Sequence, residues 1–169
     1  IIDYSKYNFL LAASGGVDSM VLAHLFHSLN IKFSIAHCNF CLRGSDSNDD
    51  EKLVKEFAEN SKLNFFSKKF KTDLFAKENK ISIQMAARNL RYDWFKQLMK
   101  KEKIDFLVTA HHYDDTVETV FINLSRGTSI SGLTGIKKME NNIIRPLLIF
   151  SKDDIIDFAR KHKINYRED

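Results

Sequence analysis

The chain reads as one α/β domain of the doubly wound kind, a mainly parallel five-stranded sheet with helices on both faces. Three observations predict it. Short, nearly all-apolar runs alternate with stretches whose apolar residues recur at helical spacing, the signature of strands buried on both faces. The chain has 169 residues, 44% hydrophobic and 28% charged, which suits one soluble domain with a real core. Polar clusters directly follow several of the apolar runs, as expected where a parallel sheet collects its ligands at the carboxyl ends of its strands.

Strands are predicted at residues 9–13, 33–37, 64–70, 105–110 and 143–147. The first ends in Ser14-Gly15-Gly16-Val17-Asp18-Ser19, after which Val17, Val21, Leu25 and Leu29, with Leu22 and Phe26 beside them, trace a buried helical face. The turn therefore feeds a helix start. Two glycines open conformations closed to other residues and let a ligand approach the main chain, while the first helical N–H groups are unpaired. Such a turn cradles anions, and the flanking hydroxyls of Ser14 and Ser19 suit a polyphosphate. A serine-capped structural turn is the plainer alternative. Neither the G-x-x-x-x-G-K-[ST] spacing nor the G-x-G-x-x-G spacing occurs.

The second strand runs into His37-Cys38-Asn39-Phe40-Cys41-Leu42-Arg43-Gly44-Ser45, a polar loop before a helix marked by Leu53, Val54, Phe57 and Ala58 from about Glu51. The helix carrying Met85 to Met99 packs through Ala86, Ala87 and Leu90. It places Arg88 and Arg91 three apart on one face, as a phosphate clamp or as solvated arginines. Thr109 to Thr119 follows the fourth strand and holds His111, His112, Asp114, Asp115 and Glu118. Asp114 and Glu118 share a helical face with Asp115 beside them. Bunched carboxylates need a cation, either Mg²⁺ or a substrate ammonium, whereas zinc fits poorly where carboxylates outnumber imidazoles. An acidic helix start favoured by the macrodipole is the plainer reading, though it leaves the histidine pair unexplained. Val117, Val120, Phe121 and Leu124 carry that helix on, and a loop of three glycines and four hydroxyls follows from Arg126 to Gly135. The last helix starts at a capping box of Ser151 and Asp154 and packs through Ile155, Ile156, Phe158 and Ala159.

A net charge of +4, from 26 basic and 22 acidic residues, is compatible with a nucleic-acid partner and equally with solvated lysine-rich helices. No apolar run is long enough to cross a membrane and no signal segment opens the chain, so a cytoplasmic address is expected. Two cysteines in a reducing compartment argue against a disulfide framework.

The loop SGGVDS resembles the pyrophosphatase loop of the N-type ATP pyrophosphatases, which cleave ATP between the α- and β-phosphates. Taken with HCNFCLRGS, AARNLRY, TAHHYDDTVET, RGTSISGLTG and RPLL, in this order and spacing, it resembles the N-terminal domain of the tRNA(Ile)-lysidine synthetase family over nearly the whole chain. Departures are small: Cys38 and Cys41 fall where the family varies, and Ser129 stands where glycine is common. The resemblance implies a Rossmann-like sheet of the adenine nucleotide alpha hydrolase type, with residues 1–169 as the PP-loop domain and tRNA-gripping C-terminal domains outside this chain. It implies ATP and Mg²⁺ as cofactors and, as substrates, free L-lysine and a tRNA(Ile) with a CAU anticodon, leaving monomer and homodimer both open.

By the same resemblance, ATP falls to Ala13, Ser14, Gly15, Gly16, Val17, Asp18, Ser19, His37, Arg91, His111, His112, Arg126 and Gly127. The catalytic residues are Asp18, Arg88, Asp114, Asp115 and Glu118, with Asp18 and Asp114 holding Mg²⁺. Two other readings stand beside it. One is tRNA thiolation, kept open by Cys38-x-x-Cys41; the other is a nucleotide sensor that binds ATP without reacting.

Overall fold

A computed structural model describes residues 4–42, 44–125, 127 and 135–168 of the chain. After a 3-10 turn at Tyr4–Lys6, the order is β1 (Phe9–Ala12), α1 (Val17–Ser28), β2 (Phe33–Asn39), α2 (Ser45–Asn60), β3 (Phe65–Lys69), α3 (Thr72–Asn79) and α4 (Ile83–Glu102). Then come β4 (Phe106–Val108), α5 (Tyr113–Ser125), β5 (Met139–Glu140), β6 (Ile143–Ile144), a 3-10 turn at Pro146–Ile149 and α6 (Lys152–Lys161). None of these helices is long and apolar enough to cross a membrane.

The sheet order is β3-β2-β1-β4-β6-β5. The first five strands in that order run parallel, as expected, with Leu11 paired to Ile35 on one side and to Val108 on the other. The sixth, β5, is an antiparallel edge of two residues turned back on β6, with Asn141 in the left-handed region at φ 51°. Two polar residues between such short strands carry no strand periodicity, so this hairpin has no signal of its own.

Both faces of β1 are covered. Phe9, Leu11 and Ala13 pack with α1, α2 and α6 in the larger core, whereas Leu10 and Ala12 face α4 through Phe95 and Leu98. That period of two is what a strand buried on both sides requires. Strand order reverses beside β1: the chain moves outward through β2 and β3, then crosses back to add β4 on the other side. The crevice outside the carboxyl ends of β1 and β4 is therefore the switch point of the sheet.

Several bounds differ from expectation for local reasons. The last parallel strand stops at Ile144, because Pro146 lacks an N–H for a ladder and opens a 3-10 turn instead. Helix α2 begins at Ser45, ahead of its first apolar residue. Helix α3 was not expected. Its Leu74 is exposed, and it is tied in by Thr72, which is 1% exposed and donates to the Phe40 carbonyl at 2.9 Å. Leu29 is 67% exposed at the C-cap of α1, and Phe121 and Leu124 of α5 are also exposed, so neither apolar stripe is wholly buried. The capping box of α6 is present, Ser151 and Asp154 satisfying each other's backbone N–H groups.

His37 is 3% exposed, and its Nδ1 donates to the Ala13 carbonyl at 2.9 Å, tying β2 to the end of β1. Burial lowers its pKa below the ordinary 6.5, outweighing the nearby carboxylates of Glu51 and Asp50. Below pH 6.5 the unfolded chain thus takes up a proton that the folded chain refuses, and stability falls as pH falls through the lowered value. A His37→Gln variant keeps an N–H donor and should lose stability less steeply on acidification. Urea titrations at pH 7.5 and pH 5.5 check this, and an unchanged pH slope would exclude His37 as the responsible group.

Candidate active site

The loop after β1 is shaped by its own hydroxyls. Ser19 Oγ accepts from the backbone N–H groups of Ser14 and Gly15 at 3.2 Å each and donates to the Gly16 carbonyl at 3.0 Å. Ser14 Oγ accepts from the Gly16 N–H at 3.3 Å. Gly15 sits at φ +101°, a conformation that favours glycine, and an added Cβ would also crowd Asp50 at 3.3 Å. Gly16 adopts an ordinary extended conformation, φ −72°, and needs no glycine for its dihedrals. As N-cap of α1 it offers no side chain to the first-turn N–H groups, which stay free for a ligand. Val17 is buried, so only its main chain can serve an anion.

The loop is held from outside as well. Arg167 donates its backbone N–H to the Gly15 carbonyl at 3.0 Å and bridges to Gly16 in parallel fashion. Its guanidinium reaches Asp46, Asp49 and Asp50 of α2, the last at 3.0 Å.

Above the loop lies a cleft of about 200 Å³, with Ala12, Ala36 and Cys38 at the strand ends and Phe40, Tyr92 and Arg91 beside them. Ala13, Ser14, Asp18 and Ser19 line the same cleft. Arg91 stacks on Phe40 at 5.3 Å and Arg88 on Tyr92 at 5.1 Å, so these guanidiniums are held by rings instead of being wholly solvated. Tyr92, His111 and Asp115 form a wall shared with a second cleft of about 380 Å³, where Arg88 and Arg145 meet Asp115 and Glu118. Arg145 is 7% exposed. Its guanidinium donates to the Lys137 carbonyl at 2.7 Å, while its Nε has no partner among the described residues.

The acidic cluster divides in space. Asp115 caps α5 by accepting the His112 N–H at 2.8 Å and joins Glu118 at the second cleft. Asp114 turns to α6 and accepts the Lys152 N–H at 2.8 Å, which holds its carboxyl below the usual value. His112 is buried between them, 3.4 Å from Asp114, 3.6 Å from Asp115 and 3.9 Å from Asp18. Asp18 receives Lys152 Nζ at 2.7 Å. His111 pairs with Thr109 Oγ1 at 2.9 Å; burial, then Arg145, Arg88 and Arg91, depress its pKa against the pull of Asp115.

Of the expected ATP residues, His37 acts on the loop through Ala13 and does not line the cleft. Gly127 closes α5 by donating to the Leu124 carbonyl at 3.1 Å, and Arg126 lies outside the described residues. Sequence reasoning missed Lys152, Arg167 and Arg145. Only Arg145 had a signal, its place at the head of the RPLL motif, though the expected strand of residues 143–147 hid it inside a ladder.

The whole of residues 1–169 matches the family model for the PP-loop domain. The tRNA(Ile)-lysidine synthase of Porphyromonas gingivalis W83 is 44% identical over 161 residues, 95% of this chain and 36% of that protein. The tRNA(Ile)-lysidine synthase of Chlorobaculum tepidum is 42% identical over 95% of this chain and 50% of that protein. The chain thus spans between about a third and a half of these relatives' length. Among solved structures, the U34-tRNA thiolase NcsA from Methanococcus maripaludis, with its 4Fe-4S cluster, superposes with a TM-score of 0.79 at 20% identity, covering 96% of this chain and 59% of that one. The NH3-dependent NAD synthetase of Campylobacter jejuni gives 0.63 at 16% identity, covering 95% and 65%. A sheet that reverses beside β1, an anion loop at that point and a match running the length of the sequence agree: the chain belongs to the PP-loop ATP-binding family.

Proposed function

We propose that this chain is the adenylylating domain of a cytoplasmic tRNA(Ile)-lysidine synthase. In this reading it uses ATP and Mg²⁺ to join free L-lysine to the wobble cytidine of a CAU anticodon. The observation that carries it is the pair of clefts sharing Tyr92, His111 and Asp115. One is built around a polyphosphate loop. The other offers carboxylates and guanidiniums together, as a zwitterionic amino acid requires, and the relatives' names supply the substrate class.

In the first step the exocyclic oxygen of cytosine attacks the α-phosphate and pyrophosphate leaves. The first-turn N–H groups of α1, from Val17 to Ser19, hold the phosphates, and Arg91 and Arg88 face the charge that develops there. In the second step the lysine ε-amine attacks the carbon bearing the adenylylated oxygen, and AMP leaves. Free lysine titrates near ~10.4, so a carboxylate must hold its ammonium and then take the proton. Asp115 and Glu118, which line the second cleft, take this role in the proposal, and Asp114, bonded to the Lys152 N–H of α6, stands behind them. His111, with its lowered pKa, adds no positive charge between the clefts at neutral pH.

Among the described residues no group of three or more His, Cys, Asp or Glu forms a ready-made metal cage. This accords with Mg²⁺ in nucleotide sites, which takes one or two carboxylates plus phosphates. Asp18, with Asp114 near it across His112, would hold the ion, which would neutralise phosphate charge. An anticodon base is already single-stranded, so presenting it costs little.

Thiolation is the reading that Cys38 and Cys41 favour, and the fold likeness to a thiolase keeps it in view. Against it, burial pushes the Cys38 thiol up to about 12, the opposite of what a sulfur carrier needs.

Two measurements test the reading. Asp18→Ala should abolish pyrophosphate release while circular dichroism shows the fold intact; undiminished release would move the nucleotide elsewhere. In the whole enzyme, the Cys38→Ser, Cys41→Ser double variant should form lysidine at close to the wild-type rate by mass spectrometry of the tRNA. Thiocytidine from the wild type with a sulfur donor, and no product from the double variant, would replace the ligase with a thiolase.

A further inference from the structure

Lys152, the first residue of α6, lies outside every motif on which the family resemblance rests. Its Nζ bonds both carboxylate oxygens of Asp18, at 2.7 and 2.8 Å, across a separation of 134 residues. Its backbone is fixed by the Ser151–Asp154 capping box and by the bond to Asp114. Asp18 borders two clefts, the one that Ala12 and Ala36 line and a third of about 370 Å³ on the other side of the loop. Lys152 reaches it from the third, which Ser14, Gly16, Arg160 and Arg167 also line.

The cations of this third cleft differ in their commitments. Arg167 is bound to three carboxylates of α2, and Arg160 pairs with Asp157 on its own helix at 3.8 Å. Lys152, by contrast, is held by a residue of the phosphate loop itself. Left alone, the Asp18 carboxylate would repel an incoming polyphosphate, and the ammonium cancels that charge before any ligand arrives. Lysine is also a compact charge on a flexible stem, able to change partners by rotation without moving the backbone. A polyphosphate offers it more negative charge than a single carboxylate does.

We propose that Lys152 is a catalytic cation that leaves Asp18 for the β- and γ-phosphates of ATP and stays with pyrophosphate as it departs. This rests on the adenylylation reading above. In that step the nucleophilic oxygen bonds to the α-phosphorus, the bond from that phosphorus to the bridging oxygen breaks, and its electron pair passes to pyrophosphate. The Lys152 ammonium faces that charge in the third cleft, and the Asp18 carboxylate is released.

Calorimetric titration of pyrophosphate, AMP and ATP into the chain tests the proposal without requiring turnover. Lys152→Met should weaken pyrophosphate binding about tenfold, the worth of one charge-assisted hydrogen bond. AMP lacks the β- and γ-phosphates, so its affinity should not change, and this also reports an intact site. Lys152→Arg keeps the cation and should recover part of the pyrophosphate affinity. Equal losses for pyrophosphate and AMP would make Lys152 a structural partner of Asp18 only, and an unchanged pyrophosphate affinity would likewise overturn the proposal while leaving ATP binding in place. A wild-type chain that binds no ATP would overturn the adenylylation reading and this proposal together.

Discussion

The reversal of strand order beside β1 is the constraint on which the site depends. Leu10 and Leu11 at the centre of this strand are both fully buried, one on each face, so β1 cannot shift without exposing one of the two cores. The phosphate loop at its end inherits that rigidity. His37 and Ala36 hold Ala13 from β2, Arg167 holds Gly15 from the end of the chain's last described segment, and Asp50 of α2 crowds the space a side chain at Gly15 would enter. A loop fixed from so many directions, its own N–H groups bonded to the Ser14 and Ser19 hydroxyls, sets the start of α1 and its uncapped first-turn N–H groups before any ligand arrives. Such preorganisation is what lets hydrogen bonds stabilise a charge that develops only in a transition state.

Charge is arranged around this loop with the two signs interleaved. Asp18 faces Lys152, Asp115 and Glu118 face Arg88 and Arg145, and Asp46, Asp49 and Asp50 face Arg167. None of these three clefts is uniformly basic among the described residues, so a polyanion would enter by exchanging partners instead of filling an open positive field. Such exchange costs little: the existing pairs at the rim are weak in water, and the new pairs with phosphate strengthen as the bound nucleotide excludes it. His111 stays out of the exchange, because burial and three guanidiniums hold it neutral.

Much of this was legible along the sequence because its signals are local. A buried strand needs a run of apolar residues, a helix start needs glycine and hydroxyls, and the loop, α1, α4 and the α6 capping box all follow from neighbours within a few positions. Fold class came from such signals, whereas the candidate site residues came from the resemblance that the motifs carry. The division of the acidic cluster did not, since Asp114 and Asp115 are adjacent in sequence and their different partners lie on other elements. Lys152 was silent for the same reason: a lysine at a helix start is ordinary until the fold sets it beside Asp18. Helix α5 shows the converse error. Its Val117, Val120, Phe121 and Leu124 trace an apolar stripe, yet Phe121 and Leu124 are exposed, because spacing reports a stripe and says nothing of what covers it.

The thiolase and the NAD synthetase share this sheet at 20% and 16% identity, so the scaffold alone does not choose the nucleophile that meets an activated substrate. The choice must lie where the scaffold differs, beyond the phosphate loop. A sulfur nucleophile asks for an exposed thiol of depressed pKa, and Cys38, raised to about 12, is its opposite. An amine nucleophile asks for something else: a carboxylate to bind the ammonium and accept its proton, beside a cation for the amino acid's own carboxylate. Asp115 and Glu118 beside Arg88 and Arg145 meet that demand, and they open onto the phosphate-loop cleft through a wall of three shared residues. On this chemistry the proposed nitrogen nucleophile fits, and Cys38 packs against the smaller core as a half-buried residue near a strand end.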